Sequence, residues 1–387
     1  MKKLVSVLMV LCMVLSLTAV ASAAPVAKEQ IKVGYIMVGD ENEGYTQSHA
    51  DAMKVAATAL GLTDDQVIIK WNIGEGEACY EAAADLADSG CNIIFSNSYG
   101  HESYMIQAAK EYPEVQFCPA TGDQAAKSGL ANVHNYFTAI YQARFLAGVV
   151  AGMKLNQMIE EGKITAETAK IGYVGAKPYA EIISGFTSFF LGARYICPSA
   201  TMEVKYTGEW ADMALENETA TALIADKCVL ISQHADTTGA ASACEPAGVP
   251  IVGYNVSMTA TAPTMALTSP TNNWAPYLEY AINCVINGET IPVDWCKGFD
   301  ADAVRLTDLN EAAIAPGTAE KVAEVTAMLS DGSLQVFDCS TFTVEGQEVT
   351  SFLDVAGNEL CSDGYIHESF VLSAPSFGLI IDGITVI

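Results

Sequence analysis

Short apolar runs alternate with helix-like stretches along most of this chain, and the alternation restarts halfway. The first series reads as strands at 31–38, 67–71, 92–96 and 115–119, with helices at 44–60, 77–87 and 102–110 between them. A longer helix at 138–155 leads into a second series, with strands at 169–174, 201–206, 228–232 and 249–252 and helices at 179–193, 210–225 and 238–245. A strand at 264–269 and a helix at 274–286 follow. Repeated βα units bury both faces of a parallel sheet and connect by right-handed crossovers. The fold class expected is therefore α/β, with two doubly wound parallel-sheet lobes. A chain of 387 residues also exceeds one ordinary core. No Pro/Ser-rich linker separates the series, and the connections near Tyr136, Pro270 and Pro292 are short. Several short crossings between two lobes predict a hinge and a cleft. Past Gly288 the pattern weakens, and 331–387 reads as short strands and turns punctuated by Gly346, Gly357, Gly364 and Gly378.

The balance of 19 Lys+Arg against 46 Asp+Glu gives a net charge of -27. Such a surface repels phosphate backbones and argues against a nucleic-acid partner. The first residues have the pattern of a secretory signal: Lys2 and Lys3, an apolar run over 4–20, and Ala21-Ser22-Ala23 as a small-x-small cleavage site. A signal peptide over 1–23 and a chain exported across the cytoplasmic membrane are expected. A membrane anchor is the rival reading of the same run, and the Ala-Ser-Ala exit favours cleavage. Cys12 follows Met9-Val10-Leu11, a poor lipidation site. Ten of the eleven cysteines remain after the leader, with no CxxC among them. That pattern excludes a zinc ribbon and a thioredoxin-type motif, and it leaves disulfide pairing open.

Signals for catalysis are lacking. Gly74-Glu75-Gly76-Glu77-Ala78-Cys79 opens like a dinucleotide fingerprint but has Cys in place of the third Gly and two carboxylates facing any pyrophosphate. There is no G-x-S-x-G elbow, Walker loop or HExxH, and the five histidines are scattered. No catalytic residue, metal or cofactor is expected. The strand ends are more informative. Tyr45 follows the first strand, Asn97, Ser98 and Tyr99 the third, and Thr121, Gly122 and Asp123 the fourth. In the second half Pro178-Tyr179, Glu209-Trp210, Gln233-His234-Ala235-Asp236 and Tyr254-Asn255 hold equivalent edges. Such loops converge on the crevice of a doubly wound sheet. Aromatic rings stack on flat ligands, while amides and carboxylates supply donors and acceptors. A flat heterocycle fits, and so does a sugar. Asp123, Asp236 and Ser98 read equally well as helix caps.

The chain resembles the basic-membrane-protein type of ABC-transporter substrate-binding protein, which includes purine nucleoside receptors. The resemblance runs through GYTQSHADAMK (44–54), IIFSNSYGH (93–101), FCPATGD (117–123), YQARFLAGVVAG (141–152), KIGYVGAKPYAEIISGFTSFFLGAR (170–194), ISQHADT (231–237) and NNWAPYLE (272–279). It implies the type I periplasmic-binding fold, with lobes at 31–137 plus 271–292 and at 138–270 plus 293–387, the latter including a C-terminal extension from about 331. It implies a purine held between two rings, matched here by Tyr45 and Trp210. The aromatic-Thr-x-x-His motif, Tyr45-Thr46-Gln47-Ser48-His49, is similar to that of members thought to bind free bases. The ligand set implied is Tyr45, Thr46, His49, Asn97, Ser98, Tyr99, Tyr179, Trp210, Gln233, Asp236, Asn255 and Trp274. Nucleoside-binding relatives carry a G-x-D-x-D pattern where this chain has Gly253-Tyr254-Asn255-Val256-Ser257. Loss of both carboxylates favours a nucleobase or an altered ligand over a nucleoside. The implied partners are an ABC permease and its ATPase, with the binding protein itself a monomer. A sugar or furanose ligand, a sensory role and a secreted nucleoside-processing enzyme are the alternatives.

Overall fold

The computed structural model describes residues 24–354, 356–369 and 371–387. The leader read at 1–23 lies outside the described residues. The first lobe begins with β1 (Val33–Ile36), α1 (Gly44–Leu60), β2 (Val67–Lys70), α2 (Glu77–Asp88), β3 (Ile93–Ser96), α3 (Glu102–Glu111) and β4 (Gln116–Pro119). These strands pair in parallel in the order β2-β1-β3-β4, the doubly wound arrangement. A one-turn helix α4 (Ala125–Ser128) precedes β5 (Asn135–Thr138), which bridges to β4 at Ala120–Tyr136. Helices cover both faces, so all four residues of β1 and of β3 are buried. One face packs Tyr35, Met53, Phe95, Tyr136, Trp274 and Tyr277, and the other packs Ile36, Leu86, Ile94, Met105 and Phe117.

The second lobe repeats the plan. The long helix α5 (Ile140–Glu160) leads to β6 (Lys170–Gly175), α6 (Ala180–Ile196), β7 (Thr201–Tyr206), α7 (Met213–Ala225), β8 (Leu230–His234), α8 (Gly239–Ala247), β9 (Ile251–Val252) and β10 (Ala266–Thr268). The strand order β10-β9-β8-β6-β7 is again doubly wound. Helices α5 and α6 lie backbone against backbone. A Cβ on Gly148 would sit 2.0 Å from the carbonyl oxygen of Phe189, and one on Gly192 would sit 1.9 Å from that of Phe145. The helix expected from Trp210 starts three residues later. Asp212 caps it, accepting from the backbone of Ala214 and Leu215 at 3.0 Å each, which leaves Trp210 on the loop.

The chain returns to the first lobe through β11 (Pro270–Asn272) and α9 (Ala275–Asn287), and then β12 (Asp294–Lys297). β12 pairs in parallel with β5, so the last crossing lies beyond Lys297 and not at 292–293 as the sequence suggested. Its partner strand is distant in sequence, and no local pattern reveals the pairing. β13 (Val304–Leu306) then runs antiparallel to β11 and completes the hinge ribbon. The side chains of Thr138 and Asn272 are hydrogen-bonded, tying two crossings together.

Helix α10 (Thr318–Asp331) buries only Thr318, Val325 and Leu329, a stripe too thin to stand out in the sequence. The segment beyond it is not a loose tail. Phe337, Phe342, Leu360, Phe377 and Ile381 join the core of the second lobe, and the strand Ile384–Val386 extends its sheet beside β7. Among the described residues no helix is long and apolar enough to cross a membrane.

Candidate functional site

The two lobes meet at the carboxyl ends of their strands, and the loop after β8 ties them together. Asp236 donates its backbone N–H to the carbonyl of Trp210 at 2.8 Å and accepts the N–H of Gly44 from the opposite lobe at 3.2 Å. Tyr45 and Trp210 therefore flank the same short loop from opposite lobes. They make no ring contact with each other among the described residues; each packs on its own lobe.

On the first lobe, Glu43 caps α1. Its carboxylate accepts from the backbone N–H of Tyr45 at 3.0 Å and of Thr46 at 3.3 Å. This turn presents Tyr45, whose hydroxyl is buried without a partner. Behind it, His49 stacks on Trp274 at 4.1 Å with 14° between planes, and both are fully buried. Trp274 Nε1 donates to Ser48 Oγ at 3.1 Å. His49 Nδ1 lies 2.5 Å from the Tyr35 hydroxyl, while its Nε2 has no partner. Burial holds the His49 imidazole well below its ordinary pKa, so it is neutral. Thr46 and Asn97 form a bracket: Asn97 Oδ1 accepts from Val38 N–H at 2.8 Å, and its Nδ2 donates to Thr46 Oγ1 at 3.1 Å. Their polar groups are occupied in shaping the loop. Ser98 bonds Glu75, and Tyr99 is 57% exposed, so neither belongs to the buried seam.

The second lobe presents charge. Arg144, buried in α5, holds its guanidinium 3.7 Å from the centroid of Tyr254. Its Nη1 donates to Tyr173 Oη at 3.1 Å and to the Gln233 carbonyl at 2.7 Å, leaving Nε and Nη2 unpaired. His234 packs edge-on to Tyr254 at 4.7 Å and to Trp210 at 6.4 Å. Glu181 Oε1 approaches His234 Nε2 at 3.4 Å, but both ring nitrogens lack a hydrogen bond. Burial, and then Arg144, keep His234 neutral, so this contact is not an ion pair. Burial pushes Glu181 up to about 7, partly offset by Arg144. Asp236 is also raised, by burial first and then by Glu43, Glu216 and Glu181.

Gln233 Nε2 donates to the carbonyls of Ala235 and Thr237 at 2.8 Å each, and its Oε1 is unpaired. Asn255 sits at φ 59, a left-handed position that asparagine tolerates, and its Oδ1 accepts from Asn272 at 3.1 Å. Tyr179 and Trp210 pack together at 6.2 Å on the rim.

The seam thus gathers Tyr45, His49, Trp210, Gln233, Asp236 and Asn255, with Trp274 behind and Tyr179 at the edge. Sequence reasoning gave no role to Arg144 or Glu181, and it placed His234 at the strand edge but outside the ligand set. Arg144 was visible as a cation flanked by apolar residues in the first half of a helix. Among the described residues no group of three His, Cys, Asp or Glu side chains could hold a metal ion. An open hollow of about 550 Å³ lies elsewhere, along Thr271 and 305–311, and contains none of these buried groups.

Comparison with known proteins narrows what such a seam serves. A purine-binding protein of Brucella abortus is 28% identical over 83% of this chain and 87% of its own length. A putative ABC transporter glucose-binding protein of Haloferax volcanii is 25% identical over 87% of this chain and 83% of its own. An ABC transporter solute-binding protein from Conexibacter woesei shares the fold, with TM-score 0.63, 20% identity, and coverage of 79% of this chain and 98% of that one. Such proteins bind small solutes outside the cytoplasm and work with membrane permease and ATPase subunits. Residues 31–327 match the Bmp family of PnrA-like ABC transporter substrate-binding proteins, and the chain belongs to that family.

Proposed function

We propose that this protein captures a purine, and a free base in preference to a nucleoside, between its lobes and delivers it to an ABC importer. The observation that carries the reading is the seam itself. Tyr45 and Trp210 flank one loop, and around them lie buried polar atoms without partners: Tyr45 Oη, His49 Nε2, Gln233 Oε1, Arg144 Nη2 and both nitrogens of His234. Buried polar groups are normally satisfied, and a set left open in one place suits a ligand edge with both donors and acceptors. A purine offers such an edge and two flat faces for stacking. The similarity to a purine-binding protein supports the same class. Asn255 in place of a carboxylate weakens any grip on ribose hydroxyls.

Closure would be a population shift stabilised by contacts that exist only when both lobes engage. The protein acts as an exported monomer, and its chemistry is binding without turnover. Trp210→Ala, titrated calorimetrically with adenine, guanine, hypoxanthine and their nucleosides, is expected to weaken the best ligand by at least about tenfold, the loss of one desolvated stacking face. Unchanged affinity would sink the sandwich.

A second reading is a sugar. It rests on the similarity to a glucose-binding relative and on the two carboxylates, Glu181 and Asp236, which suit hydroxyl groups. A thermal-shift panel of purines, nucleosides and hexoses separates the two: stabilisation by hexoses alone would replace the purine.

A further inference from the structure

Two cysteines of the C-terminal extension lie together, in a segment beyond the family match. Cys339 Sγ and Cys361 Sγ are 3.6 Å apart, and both residues are half-buried free thiols. The backbone sets this approach. Cys361 pairs with Ile366 across a short hairpin, and Tyr365 of that hairpin bridges antiparallel to Asp338. Cys339 N–H donates to the Gly364 carbonyl at 2.9 Å, and Ile366 N–H to that of Phe337 at 3.0 Å. Cys339, at the start of a one-turn helix, and Cys361, on the hairpin's outer strand, are thus both tied to the shared strand Tyr365–Ile366. Of the other cysteines among the described residues, all but Cys296 are buried, and none has a second sulfur in such reach. Buried singly in this way, cysteine serves as a small apolar side chain.

We propose that Cys339 and Cys361 are a disulfide-forming pair, and that the exported protein carries them joined. A bond of about 2 Å requires the sulfurs to close by roughly 1.5 Å. The family works outside the cytoplasm, where disulfides persist. The oxidant is another disulfide, of a protein oxidase or of oxidised glutathione. The Cys361 thiolate attacks one of its sulfurs and releases the other as a thiol. Cys339 then gives its proton to solvent and attacks Cys361 Sγ, releasing the second thiol. Two electrons pass to the oxidant, and one S–S bond is exchanged for another. Burial and the neighbouring Cys361 push the Cys339 thiol up to about 12, so it is not the thiol that starts the exchange.

The bond would close the loop from 339 to 361 and fix the base of the strap that follows. That strap packs Phe377 on Phe337 at 4.2 Å in the second lobe. It also reaches the first lobe, where Ser373 N–H donates to Asp294 Oδ1 at 2.7 Å. A crosslink here anchors a part of the extension that touches both lobes.

The test is differential alkylation and peptide mapping of the full secreted chain, purified without reductant and equilibrated with oxidised glutathione. The expected result is one linked peptide pair containing Cys339 and Cys361, lighter by two hydrogens than its reduced form, with the remaining cysteines alkylated once the chain is unfolded. Cys339→Ser and Cys361→Ser should each abolish the link. Reductant should lower the wild-type melting temperature by several degrees and leave that of the double serine variant unchanged, as expected for loss of a crosslink that constrains the unfolded chain. Recovery of both cysteines as free thiols after oxidation, or linkage of either to a different cysteine, would overturn the proposal.

Discussion

The two lobes open on nearly the same five residues, Lys32-Val33-Gly34-Tyr35-Ile36 and Lys170-Ile171-Gly172-Tyr173-Val174, yet surround them differently. Each stretch is the central strand of a sheet with the same winding, and each tyrosine is fully buried. In the first lobe the tyrosine hydroxyl meets neutral partners, His49 at 2.5 Å and Tyr136 at 3.0 Å. In the second it accepts from the Arg144 guanidinium at 3.1 Å. One duplicated plan thus supports a mainly aromatic jaw on one side. On the other it supports a jaw whose cation faces Glu181, His234 and Asp236. Under the purine reading, the first lobe contributes a stacking surface and the second most of the discrimination, because desolvated hydrogen bonds to charged groups outweigh neutral ones.

The asymmetry extends to how each lobe is packed, and glycine substitution exposes it with the largest effect. Gly192→Val would drive a side chain into the backbone of Phe145, where only rearrangement of α5 against α6 could relieve the clash. We expect a loss of at least about 4 kcal/mol, beyond ordinary overpacking. Gly34→Ala in the first lobe meets the tip of Leu86 at 2.9 Å, a flexible group that can move aside. Thermal denaturation should rank Gly192→Val far below Gly34→Ala. Equal melting temperatures would show that the close approach of α5 and α6 is not what organises the second lobe.

The division of labour between the jaws is tested next by Arg144→Met and Tyr35→Phe. Removing the guanidinium takes away the charge that offsets Glu181 and Asp236 and leaves Tyr254 uncovered. Affinity should fall between about tenfold and a hundredfold. Tyr35→Phe removes only a neutral hydroxyl behind His49 and should change affinity by less than about threefold. Calorimetry on both, with melting curves to confirm folding, checks the ranking. A larger loss for Tyr35→Phe would reverse the roles assigned to the lobes.

Most of the architecture was legible because it rests on local patterns. Apolar runs bounded by turns located β1, β3, β6 and β8, all of which are fully or almost fully buried. What escaped detection depends on distant partners. β12 joins β5 across more than a hundred residues of chain, and α10 hides a thin apolar stripe. At the seam, Tyr45, Trp210 and Asp236 were visible in the sequence as strand-end residues. The role of Arg144 was not visible, because it depends on Tyr173, Gln233 and Tyr254 converging on that residue from three other segments. The reverse also occurred. Asn97 and Thr46 look like ligand groups in sequence, but in the fold they bond each other and the loop backbone.

The smallest predicted difference is between two glutamates that each hold a loop at the end of a strand. Glu102 opens α3 and accepts from the N–H groups of Asp123 at 3.0 Å and Gln124 at 2.8 Å and from Asn135 Nδ2 at 2.7 Å, so both its oxygens are used. Glu216 in α7 holds Thr237 N–H at 3.1 Å with one oxygen and leaves the other buried and unpaired. Burial pushes Glu216 from 4.5 up to about 7, against the help of its hydrogen bonds. Between those values the folded chain keeps a proton that the unfolded chain has released, so stability falls as pH rises through that window. Glutamine keeps the acceptor for Thr237 and never ionises. Glu216→Gln should therefore melt a few degrees higher than wild type at pH 8, about 1 kcal/mol, and converge with it near pH 4.5. Glu102→Gln loses one of two working acceptors and should melt lower at both pH values. Melting curves at the two pH values would break the comparison if both variants moved in the same direction, since an unpaired buried carboxylate and a fully bonded one must respond with opposite sign.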